Sequence, residues 1–209
     1  MQAQGQRSKI LIVGSGFGGL GMAIRLKQQG IHDFKIIERA AEVGGTWRDN
    51  TYPGVACDVP SHLYSFSFIQ NPDWSRVFPQ GAEIQRYLIQ CFDQENIRPH
   101  INFHTQLEKA SWNTEKRIWE IQTSNGLYQA DFLITATGHL ADEHLPQIPG
   151  LDEFQGQVMH SARWNHEVNL DNQHVGVVGS GASAFQLVPE IAKTAKSLTV
   201  LQRSAPYIL

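Results

Sequence analysis

The spacing of apolar residues gives the chain a repeated unit. Lys9 to Val13 is a short run of aliphatic and β-branched residues, the pattern of a buried parallel strand. It leads into Leu20, Ala23, Ile24 and Leu26 on one face of a helix, and Phe34 to Ile37 then supplies a second strand. His174 to Val178 starts the same succession again, with a helical face in Leu187, Val188, Ile191 and Ala192 and a strand in Leu198 to Leu201. Pro189 lies within that second helix, where a missing amide and a crowded preceding turn predict a bend or a break.

The region between the repeats has a different rhythm. A long irregular tract to about Gln80 holds Pro53, Gly54, Pro60, Pro72 and Pro79, and its aromatics Trp47, Tyr52, Tyr64, Phe66, Phe68 and Trp74 argue for order. Alternation in Tyr64, Phe66 and Phe68 suits a short strand and equally suits plain core. Ala82 to Phe92 predicts a helix with Ile84, Leu88 and Cys91 inward. The short runs Ile101 to Phe103, Leu107 to Trp112, Arg117 to Thr123 and Leu127 to Thr135 predict an antiparallel meander. Asp131 to Thr135 then passes into Ala136-Thr137-Gly138, small residues that suit either a backbone lying close to a ligand or simple packing. Leu140 to Gly150, with Pro146 and Pro149, reads as a linker between lobes. The expected class is α/β, with two Rossmann-like dinucleotide-binding units, the second incomplete, and a β meander. The expected bounds are a first domain over 1–140, a linker over 141–172 and the start of a second domain over 173–209.

Composition narrows the chemistry. With 209 residues, 41% of them hydrophobic, and a net charge of −3, the chain lacks the basic footprint that nucleic acid or an anionic membrane would require. No apolar run approaches a membrane span, and Met1 to Ser8 has no signal-peptide core, so a cytoplasmic chain is expected. Cys57 and Cys91 lack the close spacing of a redox-active dithiol, which argues against a flavin disulfide reductase. The histidines lack metal-ligand spacing, and no G-x-S-x-G nucleophile elbow occurs.

The turns that end the first strand of each repeat carry the chemistry. Gly14-Ser15-Gly16-Phe17-Gly18-Gly19 is G-x-G-x-x-G between strand and helix. Gly14 allows the tight turn, Gly16 lets backbone approach a pyrophosphate, and Gly19 lets helix and strand pack closely. Glu38 ends the next strand, 24 residues after Gly14, where a carboxylate accepts hydrogen bonds from a ribose diol. Gly179-Ser180-Gly181-Ala182-Ser183-Ala184 repeats the turn as G-x-G-x-x-A, and the residue 24 after Gly179 is Arg203. A carboxylate favours a free 2′-hydroxyl, whereas a guanidinium can hold a 2′-phosphate through paired charge-assisted bonds. The first turn is therefore assigned to FAD and the second to NADPH, with Ser204 adding a hydroxyl contact. Taken alone, Arg203 also reads as a solvated arginine at a strand end.

Phe154, Gly156, His160 and Trp164 form F-x-G-x-x-x-H-x-x-x-W between the two turns. With the paired turns, this resembles the class B flavoprotein monooxygenases, and the closing Trp164 resembles their Baeyer–Villiger branch. Gly44 to Trp47, Tyr52-Pro53-Gly54, Cys57-Asp58 and Ser61 to Phe68 are similar to the stretch that surrounds the flavin in those enzymes. The resemblance implies that NADPH reduces FAD, that the reduced flavin takes up oxygen as a flavin peroxide, and that oxygen is inserted beside the carbonyl of a small organic ketone. It also implies that Gly14, Ser15, Gly16, Phe17, Gly19, Glu38, Thr46, Trp47, Asp58, Tyr64 and Leu107 line the FAD site. Gly179, Ser180, Gly181, Ala182, Ser183, Ala184, Arg203 and Ser204 would hold NADPH. Asp58 matches the aspartate that orients an active-site arginine, although the residues alone read it equally as a loop cap. His160 resembles a residue coupling the lobes, and it reads as well as a structural hydrogen-bonding histidine. The chain matches only the N-terminal part of such an enzyme, so weak FAD binding, no turnover and aggregation through uncovered strand edges are expected of it in isolation. The rival functions are an N- or S-oxygenating relative and a nucleotide-binding piece without catalysis.

Overall fold

The computed structural model describes residues 6–205. The chain folds into two compact units: Met1–Arg48 with Phe66–Asn71 and Ile84–Ala141, and Asp49–Ser65 with Pro72–Glu83 and Asp142–Leu209.

The first unit is built on a six-stranded sheet. Its strands are β1 (Gln6–Val13), β2 (Phe34–Ile37), β3 (Ile101–Asn102), β4 (Leu107–Asn113), β5 (Ile118–Thr123) and β6 (Gly126–Thr135), in the order β3-β2-β1-β6-β5-β4. β1 pairs in parallel with both β2 and β6, in a register that sets Val13 beside Ile37 and Thr135. Three strand ends are thereby brought together at one end of the sheet, with Glu38 and Ala136 as the next residues on two of them. Helix α1 (Phe17–Gln28) crosses from β1 to β2, and Leu20, Ala23 and Ile24 are fully buried, as the helical spacing predicts. Leu11, Ile12, Ile36, Ile37 and Phe34 complete the centre, each contributing about 1.5–3 kcal/mol by leaving water.

The meander is smaller than its sequence pattern. β4, β5 and β6 are antiparallel, but β3 pairs in parallel with β2 on the opposite edge. Ile36 and Ile37 stand opposite Ile101 and Asn102, so this run extends the parallel half of the sheet.

Tyr64, Phe66 and Phe68 do not form a strand. The Leu63 and Tyr64 amides turn back onto the Pro60 carbonyl, and the Phe66 amide donates to the Tyr87 hydroxyl at 2.8 Å, so these donors are spent outside a ladder. Phe66 is core instead: its ring lies 5.1 Å from that of Phe17 and 5.0 Å from that of Phe68. The irregular tract also contains one short helix, α2 (Thr46–Asp49). Helix α3 (Gly81–Gln94) carries Ile84, Leu88 and Cys91 inward as expected.

In the second unit, β7 (His174–Val178) and β8 (Ser197–Leu201) pair in parallel, joined by α4 (Ala182–Ile191). α4 passes through Pro189 and ends two residues later at Ile191. Leu187 and Ile191 bury with Tyr52, and Trp164, Val55 and Leu170 pack around them. Val178 and Leu201 remain exposed on the two strands.

Candidate functional site

The first glycine turn is defined by close approach. Gly14 has φ +95°, a left-handed conformation that favours glycine, and its amide donates to the Ile37 carbonyl at 2.9 Å. A Cβ on Gly14 would lie 2.5 Å from the Ala136 carbonyl oxygen, and one on Gly19 would lie 1.9 Å from that of Gly14. The small residues after β6 therefore pack against the turn itself. Gly16 takes the N-cap position of α1 in an extended conformation, with no side-chain cap and no acidic residue in the first turn. The helix start thus keeps amides without intrahelical acceptors and an uncompensated positive end, a combination suited to an anionic phosphate.

Glu38 is drawn into this turn. Only 5% exposed, it accepts the Ser15 amide at 3.0 Å and the Ser15 hydroxyl at 2.7 Å on Oε2, and the Ala40 amide at 2.9 Å on Oε1. Arg48 Nη1 approaches Oε1 at 3.3 Å and also donates to the Glu42 carbonyl at 2.7 Å. The carboxylate is thus held in one orientation by the protein's own donors. Arg48 is a member of the site that motif spacing does not reveal, because nothing in the sequence ties it to Glu38.

Other residues assigned to this site take varied positions. Phe17 is half-buried, its ring 6.3 Å from that of Tyr87. Gly45 brings its Cα within 3.8 Å of a Cβ placed on Gly16, so the Gly44-Gly45 pair lies directly beside the turn. Thr46 is exposed and Trp47 half-buried on α2, and Leu107 is half-buried on β4 opposite Thr123. Asp58 is exposed and Tyr64 half-buried, both within the second compact unit.

The second turn repeats the backbone of the first. Gly179 has φ +111° and donates its amide to the Leu201 carbonyl at 2.9 Å, as Gly14 does to Ile37. Gly181 is an extended N-cap without a side-chain partner, and the first turn of α4 carries no acid. Ser180 donates its hydroxyl to the Ser204 carbonyl at 3.1 Å, which ties the turn to the segment after β8. Arg203 lies in that segment and is exposed. A Cβ on Gly179 or Gly181 would meet nothing within 4 Å, so this turn is far more open than the first.

The connecting motif is accounted for locally. A Cβ on Gly156 would stand 2.5 Å from the Phe154 ring, so the glycine leaves room for the aromatic side chain two residues earlier. His160 is the N-cap of a 3-10 turn over Ser161–Arg163, with Nδ1 accepting the Ala162 amide at 3.1 Å. Trp164 packs onto the Tyr52, Leu187 and Ile191 cluster.

Both cysteines are free and buried. Burial pushes the Cys57 thiol up and the Cys91 thiol up to about 11, the opposite of what thiol exchange requires. Among the described residues no group of three His, Cys, Asp or Glu could hold a metal ion, and no helix is long and apolar enough to cross a membrane.

Residues 11–207 match the pyridine nucleotide-disulphide oxidoreductase family, and the chain belongs to it. The chain is 50% identical over 201 residues to a Baeyer-Villiger monooxygenase of Streptomyces coelicolor, covering 96% of this chain and 39% of that protein. It is 44% identical over 208 residues to a Baeyer-Villiger monooxygenase of Pseudomonas aeruginosa, covering 99% of this chain and 40% of the relative. Among solved structures it resembles NADP+-bound cyclohexanone monooxygenase from Rhodococcus sp. Phi1, with a TM-score of 0.91 and 32% identity over 99% of this chain and 40% of that one. An oxidized steroid monooxygenase bound to NADP gives a TM-score of 0.89 at 38% identity, over 98% of this chain and 40% of that one. The chain thus spans about 40% of the length of these relatives.

Proposed function

We propose that this chain forms the nucleotide-binding part of an FAD- and NADPH-dependent monooxygenase of the Baeyer–Villiger type, acting on a small organic ketone and molecular oxygen. The carrying observation is the buried Glu38 carboxylate, held on the Ser15 amide and hydroxyl at the first glycine turn, with Arg203 at the equivalent distance after the second. The identities to the two Baeyer-Villiger monooxygenases support the reaction type.

The residues fit the two nucleotides by chemistry. Gly14, Ser15, Gly16, Phe17 and Gly19 would offer the start of α1 to the FAD pyrophosphate, Glu38 would accept the ribose hydroxyls, and Thr46, Trp47, Asp58, Tyr64 and Leu107 would line the rest. Gly179 to Ala184 would hold the pyrophosphate of NADPH, with Arg203 and Ser204 on its 2′-phosphate. When bound, reduced flavin supplies the electrons that activate oxygen for insertion beside the carbonyl. The protein's part is to orient the sugars, exclude water and fix the Asp58 carboxylate. The domain bounds 1–140, 141–172 and 173–209, and a cytoplasmic location, belong to the same reading.

The test uses the protein expressed from its whole reading frame. Denaturation should release FAD, and NADPH consumption with a cyclic ketone under oxygen should yield a lactone. Oxygenation of a thioether or amine without lactone would move the protein to the heteroatom-oxygenating branch. Flavin release with no NADPH consumption would leave a nucleotide-binding protein without catalysis.

A further inference from the structure

Gln186 sits on α4, two residues beyond the second glycine turn, and its side chain is committed to a distant stretch of the same compact unit. Its Oε1 accepts the Tyr52 hydroxyl at 2.9 Å and the Ala56 amide at 3.2 Å, while its Nε2 donates to the Ala56 carbonyl at 2.8 Å. One carboxamide thus satisfies both backbone groups of Ala56, as a neighbouring strand would, and a phenol besides. Between these contacts the backbone is pressed onto the helix. Gly54 has φ +82°, and a Cβ there would stand 2.4 Å from the Gln186 carbonyl oxygen and 3.0 Å from Glu190 Cγ. On its other side the stretch is stitched by the Cys57 amide to the Pro79 carbonyl at 2.9 Å and by the Gly81 amide to the Val55 carbonyl at 3.0 Å. Tyr52 buries against Leu187 and Ile191. Burial pushes the Tyr52 phenol up, a side-chain hydrogen bond with Ser183, within the second turn, opposes that, and the nearby charge of Asp58 adds to it. Residues 52–58 are therefore seated on the helix that the second turn opens, and they end at Asp58.

We infer that Gln186 is a positioning residue: it locks residues 52–58 to α4, so that a dinucleotide seated on the second glycine turn fixes the backbone that carries Asp58. This deepens the function proposed above and rests on its assignment of the second turn to NADPH. The anion would draw on the amides at the start of α4, and Gln186 passes any adjustment of that first turn to Ala56 and Tyr52 through three hydrogen bonds. A carboxamide suits this role because it supplies a donor and an acceptor at peptide spacing, which neither an apolar nor a singly polar side chain can do.

Hydrogen exchange followed by mass spectrometry, on the protein expressed from its whole reading frame with and without NADP+, tests this without any turnover. In the wild type, NADP+ should slow exchange in residues 179–184 and also in residues 52–58. In Gln186→Ala the protection at 179–184 should remain, while that at 52–58 is lost. Tyr52→Phe, which keeps both Ala56 bonds and removes the phenol's, should give an intermediate response at 52–58 and serves as the test if Gln186→Ala does not fold. Protection at 52–58 that survives unchanged in either variant would overturn the proposal, as would protection in the wild type confined to 179–184. No protection at 179–184 in the wild type would instead overturn the assignment of the second turn, and the coupling with it.

Discussion

Glu38 shows what one side chain contributes at residue scale. Its carboxylate accepts three hydrogen bonds and faces Arg48, so its orientation is fixed by the protein. Glu38→Gln keeps the shape but replaces an acceptor-only group with one that carries a donor, opposite a guanidinium that needs its charge. The variant should lose about 2 kcal/mol of stability in denaturant titrations and bind FAD about tenfold more weakly or worse. Cys91 yields a second residue-scale prediction. Its thiol is raised from 9.0 to about 11 in the folded state by burial, so the native protein holds that proton more tightly than the unfolded chain does. Its contribution is fully present below pH 9 and declines as the pH rises from about 9 to about 11. Cys91→Ala should flatten the pH dependence of stability in that window. An unchanged slope would show that the thiol does not set it. The sequence makes Glu38 and Arg203 legible because a motif counts outward to them. Arg48 and Gln186 are not, since each acts through a partner that no motif spacing ties to it. The one available signal for Gln186 is its place on α4 beside the inward-facing Leu187, three residues after Ser183.

Elements are most legible where a single period runs unbroken. β1, α1, β2, β7 and α4 follow their apolar spacing closely, because a strand and helix that bury one face leave a strict pattern. The Ile101 run reads as part of the meander because a two-residue strand carries no information about its partner, and pairing direction is settled by where α3 delivers the chain. Phe66 and Phe68 alternate as strand residues do, yet their periodicity records ring packing around Phe17 and Tyr87. The turn after β1 is tightly constrained, with Gly14, Gly19 and Ala136 at distances that admit no Cβ on either glycine. Gly19→Ala would place a methyl 1.9 Å from a backbone carbonyl and force α1 away from β1. The expected loss is about 2–3 kcal/mol in thermal or chemical unfolding, together with loss of retained flavin. The same substitution at Gly181, where nothing lies within 4 Å, should cost less than about 1 kcal/mol.

For the molecule as a whole, the account depends on two glycine turns of matching backbone whose following strands end in opposite charge. The turns share a positive-φ first glycine, an amide bonded to the end of the next strand, and an uncapped helix start. They differ in what surrounds them: the first is enclosed by Gly45 and Ala136, the second is open and flanked by the exposed Arg203. The measurement that tests this most directly is the ratio of NADPH to NADH dissociation constants for the protein expressed from its whole reading frame, compared with that of Arg203→Gln. The account predicts a preference for NADPH of about a hundredfold that falls to near unity in the variant, with NADH affinity unchanged. A preference that survives the substitution, or the absence of one in the wild type, would contradict it.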